Sequence, residues 1–139
     1  MRRGFLYTAA KDEGCNKVAL GHHLDDAAES FFMNFIYNGQ MRSLAPTYKA
    51  ENSLIIIRPL IQLREQQLRA FVEENGISAI GDEACPAMRF DVKMPHARAN
   101  MKEMLSKLEE DFPSLFKSLN SAFKNISQDS FFDKEKFNY

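Results

Sequence analysis

The stretch Lys17-Val18-Ala19-Leu20-Gly21-His22-His23-Leu24-Asp25-Asp26-Ala27-Ala28-Glu29 decides how this sequence is read. After Lys17 its first residues are apolar and end on glycine, the pattern of a short buried strand over 17–21. From Asp25 or Asp26 the period changes. Ala27, Ala28, Phe31, Phe32, Phe35 and Ile36 recur at helical spacing, and Gly39 is placed to end the helix. A strand therefore passes into a helix through two histidines and two aspartates. In open α/β sheets, ligands bind outside the carboxyl ends of strands, beside helix N-termini. Imidazoles and carboxylates gathered there point to a catalytic or nucleotide site. A structural account of the same residues stays open. Asp26 with Glu29 fits a capping box, one aspartate suffices as an N-cap, and His22 and His23 can be half-buried hydrogen-bonding groups. Zinc fits less well, because adjacent histidines point apart and His-His-x-Asp-Asp is no standard ligand spacing.

Outward from this stretch the pattern alternates. Phe5, Leu6, Ala9 and Ala10 predict a helix before the first strand, closed by Gly14. Residues 40–53 read as a loop, with Pro46 blocking a helix. Leu54 to Ile57 reads as a second buried strand closed by Pro59. A helix over 64–75 carries Leu68, Phe71 and Val72, and Ile77 to Ile80 reads as a weak third strand. Residues 81–95 read as an irregular loop. Two helices follow, lined by Met101, Leu105, Leu108 and Phe112, then by Leu115, Phe116, Leu119, Phe123 and Ile126. The expected fold class is α/β, a partial Rossmann-like parallel sheet plus C-terminal helices. The expected organisation is a sheet-bearing part over 1–80, a loop and helical pair over 81–126, and a disordered tail over 127–139.

Composition bounds the function classes. The chain has 139 residues, enough for one domain, with 45% hydrophobic and 27% charged residues. Eighteen Lys+Arg against nineteen Asp+Glu give a net charge of −1, which excludes a uniformly basic nucleic-acid binder. Two cysteines cannot build a disulfide scaffold, so a reducing cytoplasm is expected. No apolar run reaches the roughly 18 residues of a membrane helix. The one local basic excess is 84–107, where Arg89, Lys93, Arg98, Lys102 and Lys107 face Asp91 and Glu103. It is the candidate nucleic-acid-facing segment, and a solvated helix face is the alternative. Arg98 falls in phase with Met101, Leu105 and Leu108, where a charge needs a partner or an interface.

Lys17 to Asp26, Glu29 and Asn34-Phe35-Ile36-Tyr37-Asn38-Gly39 resemble the second half of a PP-loop ATPase domain. Ile57-Arg58-Pro59-Leu60 with Arg64-Glu65, then Pro95, Arg98, Lys102, Leu105, Glu109, Pro113, Leu119 and Asn125-Ile126, are similar in order to the tRNA 2-thiocytidine synthetase branch. The resemblance covers residues 2–126. It implies an ATP-binding HUP-type sheet and a cytoplasmic enzyme that adenylates cytosine 32 of tRNA, releases pyrophosphate and lets sulfur displace AMP. It implies Mg²⁺ at Asp25 or Asp26 and catalytic roles for Asp25, Asp26 and His23. It also implies nucleotide contacts at Gly21, His22, His23 and Arg58. For Arg58, satisfying a local carboxylate is the alternative.

The sequence departs from the family in several places. No Ser-Gly-Gly-x-Asp-Ser loop occurs, nor any Cys-x-x-Cys. Ser30 stands where threonine is usual, and Ala45-Pro46-Thr47 where a basic segment is common. Cys15 is expected to be a small buried residue. Cys85 matches a family position that can serve a [4Fe–4S] cluster, but only with cysteines this sequence does not contain. The expectation is therefore a C-terminal fragment of a longer enzyme, inactive alone, with an open strand edge that favours a homodimer. The sulfur-donor protein is unidentified. The alternatives are a non-catalytic tRNA- or protein-binding remnant, a lysidine-synthetase-like PP-loop enzyme, and a metal-dependent hydrolase built on His22, His23 and Asp25.

Overall fold

The computed structural model describes residues 2–50, 53–78 and 96–130. Along the chain these form α1 (Arg2–Asp12), β1 (Lys17–Ala19), α2 (Leu24–Asn38), β2 (Thr47–Lys49), β3 (Ile55–Ile57), α3 (Glu65–Glu74), α4 (His96–Asp111) and α5 (Leu115–Ala122). A 3₁₀ turn, Gln128–Ser130, follows. It lies where the sequence predicts a disordered tail. Residues 131–139 lie outside the described part.

The sheet has the order β1-β3-β2 and is mixed. β1 and β3 run parallel, with Val18 opposite Ile56, as the α/β reading requires. β2 is antiparallel to β3, with Tyr48 opposite Ile56, and it lies in the stretch read as loop. Pro46 does bar a helix there, but it also suits a strand start. Its carbonyl accepts the Arg58 backbone N–H at 2.8 Å, and the chain returns through Ala50 N–H to Leu54 O at 2.9 Å. The strand predicted over 77–80 does not form in its described residues, Ile77 and Ser78; 79 and 80 lie outside the described part.

Two cores result. Val18, Leu54 and Ile56 are buried on one sheet face under Tyr7 and Ala10 of α1. The Tyr7 and Tyr48 hydroxyls lie 3.2 Å apart. Fully burying Ile56 stabilises the fold by roughly 1.5–3 kcal/mol. On the other sheet face Lys17, Ala19, Ile55, Lys49 and Thr47 are exposed. The second core joins Leu24 and Ala28 of α2 to Leu105 of α4 and Phe116 of α5. Its rim is Phe32, Met104, Leu115, Leu119 and Phe123.

The helical periods were legible, but the buried faces only partly. Phe5, Leu6, Phe35, Ile36, Phe71, Phe112 and Ile126, all assigned to apolar stripes, are exposed. Cys15, expected buried, is exposed as well. The physical reason is supply: among the described residues, no element covers those ends of the stripes. Gly39 has φ 59° and gives its N–H to Asn34 O, the left-handed cap expected of it. Gly14, with φ 70°, turns the chain from α1 into β1 in the same way.

Candidate functional site

The strand-to-helix turn places its polar residues on two sides. The first gathers at the carboxyl ends of β1 and β3. Arg58 follows β3 directly, and its residue is only 4% exposed. Its Nε donates to His22 Nδ1 at 3.3 Å, its Nη1 donates to the Ala45 carbonyl, and its guanidinium lies 5.2 Å from the Tyr48 ring centre. No carboxylate among the described residues pairs with it. The sequence left a local carboxylate open as its partner; the structure supplies a carbonyl, an imidazole and an aromatic face instead. A buried guanidinium without an anion is a strong anion locus. Beside it a Cβ added to Gly21 would meet nothing within 4 Å. Gly21, His22 and Arg58, three of the four predicted nucleotide contacts, are thus brought to the ends of the two adjoining strands, and the fourth, His23, faces the aspartates of the second side.

The second side is the first turn of α2. His23, not an aspartate, is the N-cap, with extended backbone at φ −121° and ψ −176°. Its N–H donates to Asp26 Oδ2 at 3.1 Å. Asp26 therefore reaches back from the third helical position, and Glu29 has no part in the cap. The capping box expected between Asp26 and Glu29 sits three residues earlier. The His23 ring stands between two carboxylates, with Nδ1 3.7 Å from Asp25 and Nε2 3.5 Å from Asp26. Nδ1 is buried without a hydrogen-bond partner.

Both aspartates are committed to arginines. Asp25 receives Arg64 Nε and Nη2 at 3.1–3.3 Å, and it accepts the Glu65 backbone N–H at 2.7 Å. It thereby caps the start of α3 from another helix. Arg64 also donates to both oxygens of Glu109, at 2.5 and 3.0 Å, and lies 3.5 Å over the Phe116 ring. One guanidinium thus ties α2, α3, α4 and α5. Desolvation lowers the Arg64 pKa, but the bonds it donates to Glu109 and Asp25 outweigh this and raise it, so the cation persists at all working pH. Asp26 receives Arg98 Nη2 at 2.6 Å, and the buried Glu29 receives Arg98 Nε at 2.7 Å. Arg98, expected on the apolar side of α4, is instead 62% exposed and reaches these two carboxylates from the surface. Lys102 pairs with Glu65 at 3.2 Å. A bond from Arg69 lowers the Glu65 pKa against desolvation, and Lys102 lowers it further.

These commitments decide what the carboxylates fit. Each aspartate spends its oxygens on an arginine and a backbone N–H. Among the described residues no group of three His, Cys, Asp or Glu stands close enough to hold a metal. As placed, Asp25 and Asp26 fit structural ion pairs and not a magnesium shell. The zinc-type reading on His22, His23 and Asp25 fails on the same geometry, since His22 turns to Arg58. Two cysteines fall short of the four thiolates of a [4Fe–4S] cluster; Cys85, Arg89 and Lys93 lie outside the described residues. Sequence reasoning passed over Arg64 and Glu109 as site residues. Their partners are some 40 residues away, and only their order along the chain marked them.

Two cavities flank α2. A charged one of about 280 Å³ is lined by Asp25, Glu29, Arg64, Glu65, Lys102 and Glu109, among others. An apolar cleft of about 780 Å³ lies along the face carrying Leu24, Ala27 and Phe31, against segment 41–46 and α5. No described helix is long and apolar enough to cross a membrane.

Known proteins give the same reading of the chain. It is 40% identical over 91% of its length to a tRNA-cytidine(32) 2-sulfurtransferase of Syntrophotalea carbinolica, covering 48% of that protein. It is 36% identical over 97% of its length to the protein of that name from Geobacter metallireducens, covering 51% of it. Against that from Alkalilimnicola ehrlichii it is 34% identical over its whole length, covering 43% of it. The chain spans about half the length of the curated relatives it matches. Residues 1–100 match the model of the PP-loop domain, and the chain belongs to the PP-loop family.

Proposed function

We propose that this chain is part of an ATP-dependent, tRNA-modifying enzyme that activates cytosine 32 for 2-thiolation. The observation that carries this reading is the 40% identity to a tRNA-cytidine(32) 2-sulfurtransferase over 91% of the chain. In the proposed reaction the 2-oxygen of the base attacks the α-phosphorus of ATP and pyrophosphate leaves. Sulfur then attacks C2, and AMP departs with the oxygen. Both steps place negative charge on phosphate oxygens, which fixed donors stabilise best in a water-poor site. Arg58 is the residue suited to that charge, since its guanidinium is buried, paired with no carboxylate among the described residues and held by Ala45 and Tyr48. His22 orients it, and Gly21 leaves room for close approach. His23, at the helix N-terminus, is the candidate donor to the activated base. Asp25 and Asp26 act as positioning residues: through Arg64 and Arg98 they fix α2 against α3 and α4.

The 139-residue sequence contains no glycine-rich pyrophosphate loop. The purified chain by itself is therefore expected to give no ATP–pyrophosphate exchange. The decisive test is genetic. Disrupting the gene that carries this sequence should remove 2-thiocytidine from hydrolysed cellular tRNA, read by mass spectrometry. Undiminished 2-thiocytidine would overturn the reading. A second surface bears on assembly. The outward N–H and C=O groups of Lys17 and Ala19 on β1 have no backbone partner among the described residues, and such an edge invites a further strand, from a second copy or another segment.

A further inference from the structure

The apolar cleft on the other face of α2 has a chemistry of its own. Its walls include Phe31 and Phe123, whose rings meet edge to face at 5.5 Å. Phe35 stacks on Phe31 at 6.1 Å and is itself 53% exposed, so the aromatic surface runs out of the cleft. Arg42 and Lys124 stand among the lining residues. Arg42 has no ion-pair partner among the described residues, while Lys124 donates only to the neutral Gln62 amide at 2.8 Å. Asn120 adds an amide with no hydrogen bond among the described residues. Among the described residues no Asp or Glu lines the cleft.

Aromatic faces beside cations that no described carboxylate pairs, with one unbonded amide at Asn120, are a set that receives single-stranded nucleic acid. A second copy of the chain is disfavoured by the same charges. A two-fold contact sets a patch against itself, so Arg42 and Lys124 would meet cations with no acid between them. The cleft is also tied to the strand-end site. Ala45 and Pro46 of its wall hold Arg58, and Leu24 of its floor lies between His23 and Asp25. We propose that the cleft between α2, segment 41–46 and α5 receives an unpaired RNA nucleotide, its base against Phe31 and Phe123 and its flanking phosphates on Arg42 and Lys124. This rests on the tRNA reading above and gives that substrate a binding surface distinct from the 84–107 segment.

The test is fluorescence anisotropy of the 139-residue chain with a labelled RNA hairpin carrying an unpaired loop, beside a blunt RNA duplex of equal charge. The hairpin should bind more tightly than the duplex. R42Q/K124Q should weaken hairpin binding and reduce the log–log salt slope by about 1.4, two single-strand phosphates lost. F123L, which keeps an apolar side chain, should weaken the hairpin roughly tenfold through lost stacking. R42Q/K124Q should keep the wild-type melting temperature, and F123L, at the rim of the second core, should melt somewhat lower but well above the binding temperature. Unchanged hairpin affinity and slope in R42Q/K124Q would overturn the cleft while leaving the thiolation reading to the tRNA assay. Equal binding of hairpin and duplex would also overturn it. So would a change of oligomeric state in sedimentation, without loss of RNA affinity, because it would assign the cleft to a protein contact.

Discussion

Replacing Arg64 by methionine removes the cation that bridges Asp25 and Glu109 while keeping an apolar chain over Phe116. The side chains of Arg64, Asp25 and Glu109 are 19%, 15% and 29% exposed. Removing one partner of a fully buried pair costs about 3–5 kcal/mol. A fully exposed pair contributes only about 0–1 kcal/mol. This network lies between the two, and Asp25 keeps the Glu65 N–H as a donor. The expected loss is therefore about 2–3 kcal/mol, which for a chain of this size lowers the melting temperature by about 10 °C. The assay is thermal unfolding by circular dichroism with Arg64→Met, Glu109→Gln and the double variant. The double variant should lose less than the sum of the singles, with a coupling of about 1–2 kcal/mol. Most of the Arg64→Met loss should persist in high salt, because a mostly buried pair is weakly screened. A shift below about 2 °C would show that Arg64 does not tie the helices together.

Three further outcomes are expected. Arg98→Ala leaves the buried Glu29 carboxylate without its cation; because the Arg98 side chain is 62% exposed, the loss should be about 1–2 kcal/mol by urea unfolding, and no loss would mean that water replaces the guanidinium. The Glu65 pKa is depressed by the bond from Arg69, against desolvation, so its contribution is present above the ordinary carboxylate range and disappears as pH falls through the depressed value; Glu65→Gln should flatten the acid limb of the melting-temperature profile, and an unchanged limb would refute the pairing. Ile56→Ala, at a fully buried position between β1 and β2, should cost about 2–5 kcal/mol in urea, and a loss under about 1 kcal/mol would mean that the sheet is not the core.

Much of the scaffold is local and was therefore readable. The β1–α2 turn depends on a short apolar run, a helical stripe and glycines that take positive φ at Gly14 and Gly39. Local signals also misled by small shifts. The cap moved from Asp26 to His23 because the helix starts as soon as Asp26 can reach back to a free N–H. β2 escaped because three residues carry too little period to be seen; it exists through pairing with β3. Phe35, Phe71 and Phe112 kept their helical phase but not their burial, since periodicity places a residue on a face without supplying what packs against it.

By itself, then, the sequence determined the α/β class, the strand-to-helix turn that carries His22, His23, Asp25 and Asp26, and the family. These follow from residue type and spacing over short distances. Only the tertiary structure decided what each charge does. Asp25 turned to Arg64, Asp26 and Glu29 to Arg98, and Arg58 to His22 and the Ala45 carbonyl. Those partners lie from 13 to 72 residues apart. Pairing energy depends on distance and desolvation after the chain has folded, and neither is written in the spacing of a motif.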